Sequence, residues 1–188
     1  MKKVLIVAPV FIVLAVAAIF KLVDVRNDLA AQREAVAAQW ANVEAAVKSR
    51  ADLVPALAGM VKRFAPQETA PFEDLAAART ALGAGHTPEQ KMQAHDRLSA
   101  SLGRLLLLSE NYPKLRQDKT FLRLQDEIAD SENRIAVERR KYNEILEHYN
   151  AQIQIFPDNV VASVSGFTRN DAYFRTDGAT RSAPKVQF

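Results

Sequence analysis

Cysteine is absent from the 188 residues. That excludes a disulfide, a thiol nucleophile, a thiolate metal site and a cysteine-linked lipid anchor. Glycine is scarce, six in all, and the glycines form no phosphate-cradling loop. A charge excess is missing too, once the N-terminus is set aside. The formal net charge is +3, but Lys2, Lys3 and Lys21 account for all of it. Of the 25 basic residues, 22 then remain, facing 22 acidic ones. A nucleic-acid binder normally shows a basic face, so nucleic acid is not an expected partner. What the chain does have is apolar content, 48%, enough for one packed domain at this length.

Val4 to Phe20 is a run of 17 residues without a charge. That is near the short limit for a membrane-spanning helix, usually about 20 residues. Leu22 and Val23 lengthen it if Lys21 snorkels. Ala15-Val16-Ala17 reads as a small-x-small cleavage site, so a signal peptide is the rival. No polar segment separates that site from the apolar run, which favours a retained anchor over residues 1–21. Lys2 and Lys3 precede the run, and Lys21, Arg26 and Arg33 follow it. The near tie is read as N-terminus inside and domain outside the cytoplasm.

Leu22 to Phe64 reads as a helix continuing the anchor. Leu22, Val25, Leu29, Val36, Trp40, Val43, Val47, Val54, Leu57, Val61 and Phe64 mark one face. Pro55 lies inside it and predicts a kink near Ala51. Pro66 and Pro71 then break the chain. Phe72 to Leu82 is a short helix, with Arg79 on the same side as Phe72, Leu75 and Leu82. Thr87-Pro88-Glu89-Gln90 is a capped helix start, and the helix runs to about Glu110. Met92, Leu98, Leu102 and Leu105 face its core, and the all-apolar Leu105–Leu108 predicts cover on both sides.

The longest helix is expected from Thr120 to Ile155, where neither proline nor glycine occurs. At about 1.5 Å per residue it spans roughly 54 Å. An apolar residue returns every seventh position through Phe121, Ile128, Ile135, Tyr142, Tyr149 and Phe156. An offset row alternates Leu124 and Ile145 with Ser131, Glu138 and Gln152. A seven-residue repeat keeps one seam facing a partner along a slightly supercoiled helix. Phe121, Ser131, Glu138 and Gln152 are therefore candidates for a self-association seam. Asp118 or Thr120 caps the start, and Pro157 stops the end. A short helix follows Asp158 or Asn159 and ends at Gly166, and a polar tail occupies 168–188.

Catalytic patterns are missing. His86, His95 and His148 are preceded three residues earlier by Gly83, Met92 and Ile145, so the Glu-x-x-His pairs of helical di-metal proteins are absent. No His-Glu-x-x-His zinc motif occurs. Glu144 and His148, one turn apart, read as a surface pair rather than metal ligands. The expectation is no enzyme, no metal and no cofactor.

Polar residues on apolar faces are more informative. Arg50 occupies a seam position, with Asp52 close by in sequence. Glu132 and Arg139 flank the seam of the long helix. A buried unpaired charge is costly, so Arg50, Asp52, Glu132 and Arg139 are expected to pair across helices. The structural reading is a register lock; the functional one is a polar notch for a partner. Tyr142 and Tyr149 read as core aromatics whose hydroxyls reach water.

Glu110-Asn111-Tyr112-Pro113-x-Leu115, Ser131-Glu132-Asn133-Arg134-Ile135, Arg139-x-x-Tyr142-Asn143, Tyr149-Asn150 and Phe156-Pro157 together resemble the LemA family. Trp40, Arg50-x-Asp52-Leu53-Val54-Pro55-x-Leu57, Val61-Lys62 and Gly166-Phe167 extend the resemblance over residues 22–188. It implies a membrane-tethered helical domain in bacteria, with relatives implicated in internal membranes or encoded beside membrane proteases. The expected fold is an all-α, elongated up-and-down bundle of about four helices with an N-terminal transmembrane helix. Its divisions are 1–21 (anchor), 22–167 (helical domain) and 168–188 (tail). The expected function is a scaffold in the bacterial inner membrane that self-associates to organise or remodel the bilayer. The alternative is a non-catalytic accessory subunit of an envelope membrane protease or stress-response complex. Expected partners are the lipid bilayer, further copies of the chain and, in the alternative, a membrane protease.

Overall fold

A computed structural model describes residues 2–174, the side chains of 2–12, 14 and 15 excepted. Among the described residues there are six helices and no strands. They are α1 (Lys2–Phe64), α2 (Ala70–Ala84), α3 (Pro88–Ser109), α4 (Pro113–Arg116), α5 (Lys119–Gln152) and α6 (Asp158–Ser165). Among the described residues no helix is long and apolar enough to cross a membrane. The expected anchor over 1–21 falls largely on side chains outside the description, and tail residues 175–188 lie outside it altogether.

The chain divides into two compact units. Unit 1 comprises Met1–Trp40 and Lys141–Asp171, and unit 2 comprises Ala41–Arg140 and Ala172–Phe188.

Unit 2 holds the larger core. Val54, Leu57 and Val61 of α1, Leu75 of α2, Leu98, Leu102 and Leu105 of α3, and Phe121, Leu124 and Ile128 of α5 are buried together. Helix α1 continues through Pro55. Pro71 falls in the first turn of α2, where a missing N–H costs no helical bond. Ala78 rather than Arg79 is buried with Leu75 on that helix, and Arg79 is exposed. Thr87 accepts from the Gln90 N–H at 3.3 Å, and the Gln90 side chain accepts from the Thr87 N–H at 3.3 Å, completing a capping box. The all-round cover expected for Leu105–Leu108 is not found, because Leu107 is 64% exposed.

Unit 1 buries Val25, Leu29 and Val36 of α1, Tyr142, Leu146 and Tyr149 of α5, Ile153 just beyond it, and Val161 and Ala162 of α6. Leu22, expected on the same face, is exposed. Trp40 and Tyr142 meet edge-on, with centroids 5.4 Å apart. The Tyr149 hydroxyl donates to the Thr168 carbonyl at 2.9 Å rather than to water.

Helix α5 begins as its cap dictates. The Asp118 carboxylate accepts from the N–H groups of Thr120 at 2.8 Å and Phe121 at 3.1 Å. It ends at Gln152, five residues before Pro157, so Phe156 leaves the seam and stands 78% exposed. The seven-residue row from Phe121 to Tyr149 is buried, but its companion changes place. Leu124 follows Phe121 by three positions, whereas Leu146 and Ile153 follow Tyr142 and Tyr149 by four. A helix of 3.6 residues per turn drifts about 20° per heptad. Moving the companion from the third to the fourth place turns the buried face back by about half a 100° step, which offsets most of three heptads of drift.

Candidate functional site

Unit 2 contains a polar layer set in apolar stripes. On α1, Arg50 occupies the stripe that also carries Val43, Val47, Val54 and Leu57, and its side chain is 7% exposed. On α3, His95 falls three residues before Leu98 on the stripe through Leu102, Leu105 and Ser109, and it is buried. On α5, Glu132 and Arg139 lie on either side of the fully buried Ile135. Helical spacing therefore aims four polar groups from three helices inward.

The contacts form two sets. Arg50 pairs with Glu132 and donates from Nη1 to the Ser99 hydroxyl at 2.8 Å. Arg139 donates from Nη2 to Asp96 Oδ1 at 3.1 Å and contacts His95 Nδ1. Its guanidinium lies over the Phe174 ring, 4.6 Å from the centroid. Two guanidinium groups thus face two carboxylates, Glu132 and Asp96. Asp52 does not join them. Two residues beyond Arg50 is about 200° around a helix, and Asp52 is exposed.

Burial pushes the Arg50 guanidinium below its ordinary value, against the pull of Glu132. Burial, and then the Arg139 charge, push His95 down to about 4. His95 is therefore a neutral imidazole near neutral pH. Its Nδ1 accepts from Arg139, which leaves the ring proton on Nε2. Among the described residues Nε2 has no hydrogen-bond partner, and neither do Nε of Arg50 and Nε of Arg139. The Ser99 hydroxyl accepts from Arg50. A slip of α1, α3 or α5 would separate these partners and leave a buried cation unpaired, which is costly. Among the described residues no group of three metal-ligating side chains is close enough to hold an ion.

The candidate seam residues divide between the units. Phe121 is buried in the unit 2 core. Gln152 contacts Gln32 and donates to Asp158 Oδ2 at 3.0 Å, so it is bonded within unit 1. Ser131 and Glu138 are half-buried. Ser131 lines an open groove of about 310 Å³ with Ala46, Ser49, Leu53, Glu127, Asp130 and Arg134.

Sequence reasoning missed His95, Ser99, Asp96 and Phe174 as members of the layer. His95 was within reach, since positions 95, 98, 102, 105 and 109 alternate by three and four. Ser99 and Asp96 lie off that stripe and carry no such signal.

The chain is similar to magnetosome protein MamQ 2 and magnetosome protein MamQ 1 of Paramagnetospirillum magneticum, 35% identical to each over 75 residues. Those 75 residues are 40% of this chain and 27% of each relative. It is 31% identical over 88 residues to magnetosome protein MamQ of Magnetospirillum gryphiswaldense, 47% of this chain and 32% of that one. The match therefore spans about a third or less of these relatives' length. The LemA family model matches residues 39–188, a range that contains Arg50, His95, Glu132 and Arg139. The chain belongs to the LemA family.

Proposed function

We propose that this chain is a membrane-anchored helical scaffold that self-associates to organise or remodel a bacterial membrane. The observation that carries the reading is on α1. Val13, Val16, Ile19, Phe20, Leu22 and Val23 are exposed apolar residues on the helix that then packs through both units. They continue the uncharged run from Val4. Residues 16–23 are exposed on every side of the helix, and apolar surface presented in this way is unfavourable in water and suited to lipid. The similarity to magnetosome proteins of two bacteria supports a bacterial setting. In this reading the anchor spans the inner membrane once, with the helical units outside the cytoplasm. The chain acts by assembly, without catalysis, cofactor or nucleic acid.

Anchors held in one plane raise the effective concentration of the units, so weak contacts suffice. The face through Ser131 and Glu138, beside the groove, is the part of the seam through which copies would meet. Ser131→Cys and Glu138→Cys, each the sole thiol in the chain, test this by oxidation in native membranes. Efficient crosslinks between copies, and a discrete large particle on sizing the detergent-extracted chain, are expected. A monomer without crosslinks at either position would overturn self-association and leave the accessory-subunit role.

A further inference from the structure

His95 sits at a charge balance that holds only while its ring is neutral. The charged groups facing it are Arg139 and Glu132 from α5, Arg50 from α1, and Asp96 beside it on α3. Two cations thus meet two carboxylates, and the imidazole joins them as an acceptor, its Nδ1 contacted by Arg139. His95 is 2% exposed, so a proton added to the ring has little water to share its charge. Protonation sets three cations against two carboxylates, and it turns Nδ1 into a donor that faces a donor. A buried excess charge of this kind is costly, and a rearrangement of the layer relieves it.

The contacts show which group can move. Arg50 is held by Glu132 and Ser99, and its side chain is 7% exposed. The Arg139 side chain is 21% exposed and already reaches solvent. Asp96, largely exposed, presents one oxygen to both donors: its Oδ1 lies 3.1 Å from Arg139 Nη2 and 3.4 Å from His95 Nδ1. That oxygen can exchange one donor for the other. With a neutral ring it accepts from Arg139; with a charged ring it accepts from Nδ1–H while Arg139 turns outward. The Arg139 guanidinium also covers the Phe174 ring, 4.6 Å from its centroid, so its departure removes a cation from that face. The chain just upstream is fixed separately, by the two bonds between Asn150 and Asn170. Any displacement therefore starts after Asn170.

We propose that His95, Arg139 and Phe174 form an acid-operated latch, in which a proton on His95 expels Arg139 and residues 172–174 lift from unit 2. Burial, and then the Arg139 charge, hold the folded imidazole at about 4, below the unfolded 6.5. The latch is therefore closed at neutral pH and opens as the pH falls towards about 4. Ala172 is 8% exposed in the closed state, so opening uncovers it together with the Phe174 ring. The latch lies within unit 2 and depends neither on the anchor nor on self-association.

The test uses the full chain in detergent, with 4-fluorophenylalanine in place of Phe174. Fluorine NMR reads that ring between about pH 7 and about pH 3.5, and circular dichroism follows the helices over the same range. As the pH falls, the resonance is expected to leave its stacked position and approach that of the urea-unfolded chain, with the helical signal unchanged. In His95→Gln, which offers Arg139 an acceptor but does not titrate, the resonance is expected to stay at its neutral-pH position. Arg139→Gln needs no titration and should show the released position already at neutral pH. A resonance that does not move in the parent, or moves equally in His95→Gln, overturns the latch. A move that coincides with loss of the helical signal overturns it too, because the whole chain has then unfolded. Arg139→Gln with its resonance at the closed position does the same, since Arg139 then does not hold Phe174.

Discussion

Asn150 holds Asn170 from both sides. Its amide nitrogen donates to the Asn170 carbonyl at 2.6 Å, and its carbonyl oxygen accepts from the Asn170 N–H at 2.9 Å. Asn150 is 2% exposed, so neither bond has water as a ready substitute. Asn150→Ala removes both bonds and leaves backbone groups unsatisfied, at about 2–3 kcal/mol. Asn150→Asp keeps the acceptor but sets a carboxylate against the Asn170 carbonyl, and is expected to be worse. Hydrogen exchange at the Asn170 amide should accelerate in both variants. Unchanged protection would show that the clamp does not hold this segment.

The Arg50–Glu132 pair is asymmetric. Arg50 is buried, whereas the Glu132 side chain is 45% exposed. Breaking a fully buried pair costs about 3–5 kcal/mol, and half-exposure of the carboxylate discounts this to about 1–3 kcal/mol. Glu132→Ala should therefore lower the urea midpoint, because Arg50 keeps only Ser99. Adding Arg50→Met to Glu132→Ala should recover part of the loss. Equal midpoints for Glu132→Ala and the parent would place Arg50 outside any ionic role.

His95 makes stability depend on pH. Its folded value near 4 lies below the unfolded 6.5. Between the two, the unfolded chain takes up a proton that the folded chain refuses. Stability conferred by the neutral imidazole is thus fully present above about pH 6.5 and falls towards pH 4, by about 3 kcal/mol in all. His95→Gln keeps an acceptor for Arg139 but does not titrate. Urea midpoints of that variant should fall less than the parent's between about pH 7 and pH 4. Parallel curves would sink the assignment.

Thr87 is a surface cap with no core role, so its effect is confined to the start of α3. Thr87→Ala is expected to cost about 1 kcal/mol. In a chain of this size that lowers the melting temperature by about 2–4 °C. Gln90→Ala, which removes the reciprocal bond, should give a smaller shift.

Sequence periodicity carried most of the helices. The capping box at Thr87, the Asp118 cap and the buried row from Phe121 to Tyr149 all follow from local spacing and local hydrogen bonding. The Arg50–Glu132 pair was legible because both residues interrupt or border apolar stripes. Asp52 was misplaced because nearness in sequence is not nearness on a helix. His95 has no glutamate three residues before it, so a metal motif does not mark it; its place on the α3 stripe does. The partners of Tyr149 and Asn150 could not be read at all. They are backbone groups of Thr168 and Asn170, and a return of irregular chain leaves no mark on residue spacing.

The change of companion position along α5, from Leu124 to Leu146, bears on how copies could touch. A strict heptad makes a strand of rope, whose partner follows it along the whole length. A row whose companion position shifts part-way along behaves as a spar instead. Spars meet at crossings, each over a limited patch. In the self-association proposed above, copies of the chain would therefore share short junctions rather than one continuous seam.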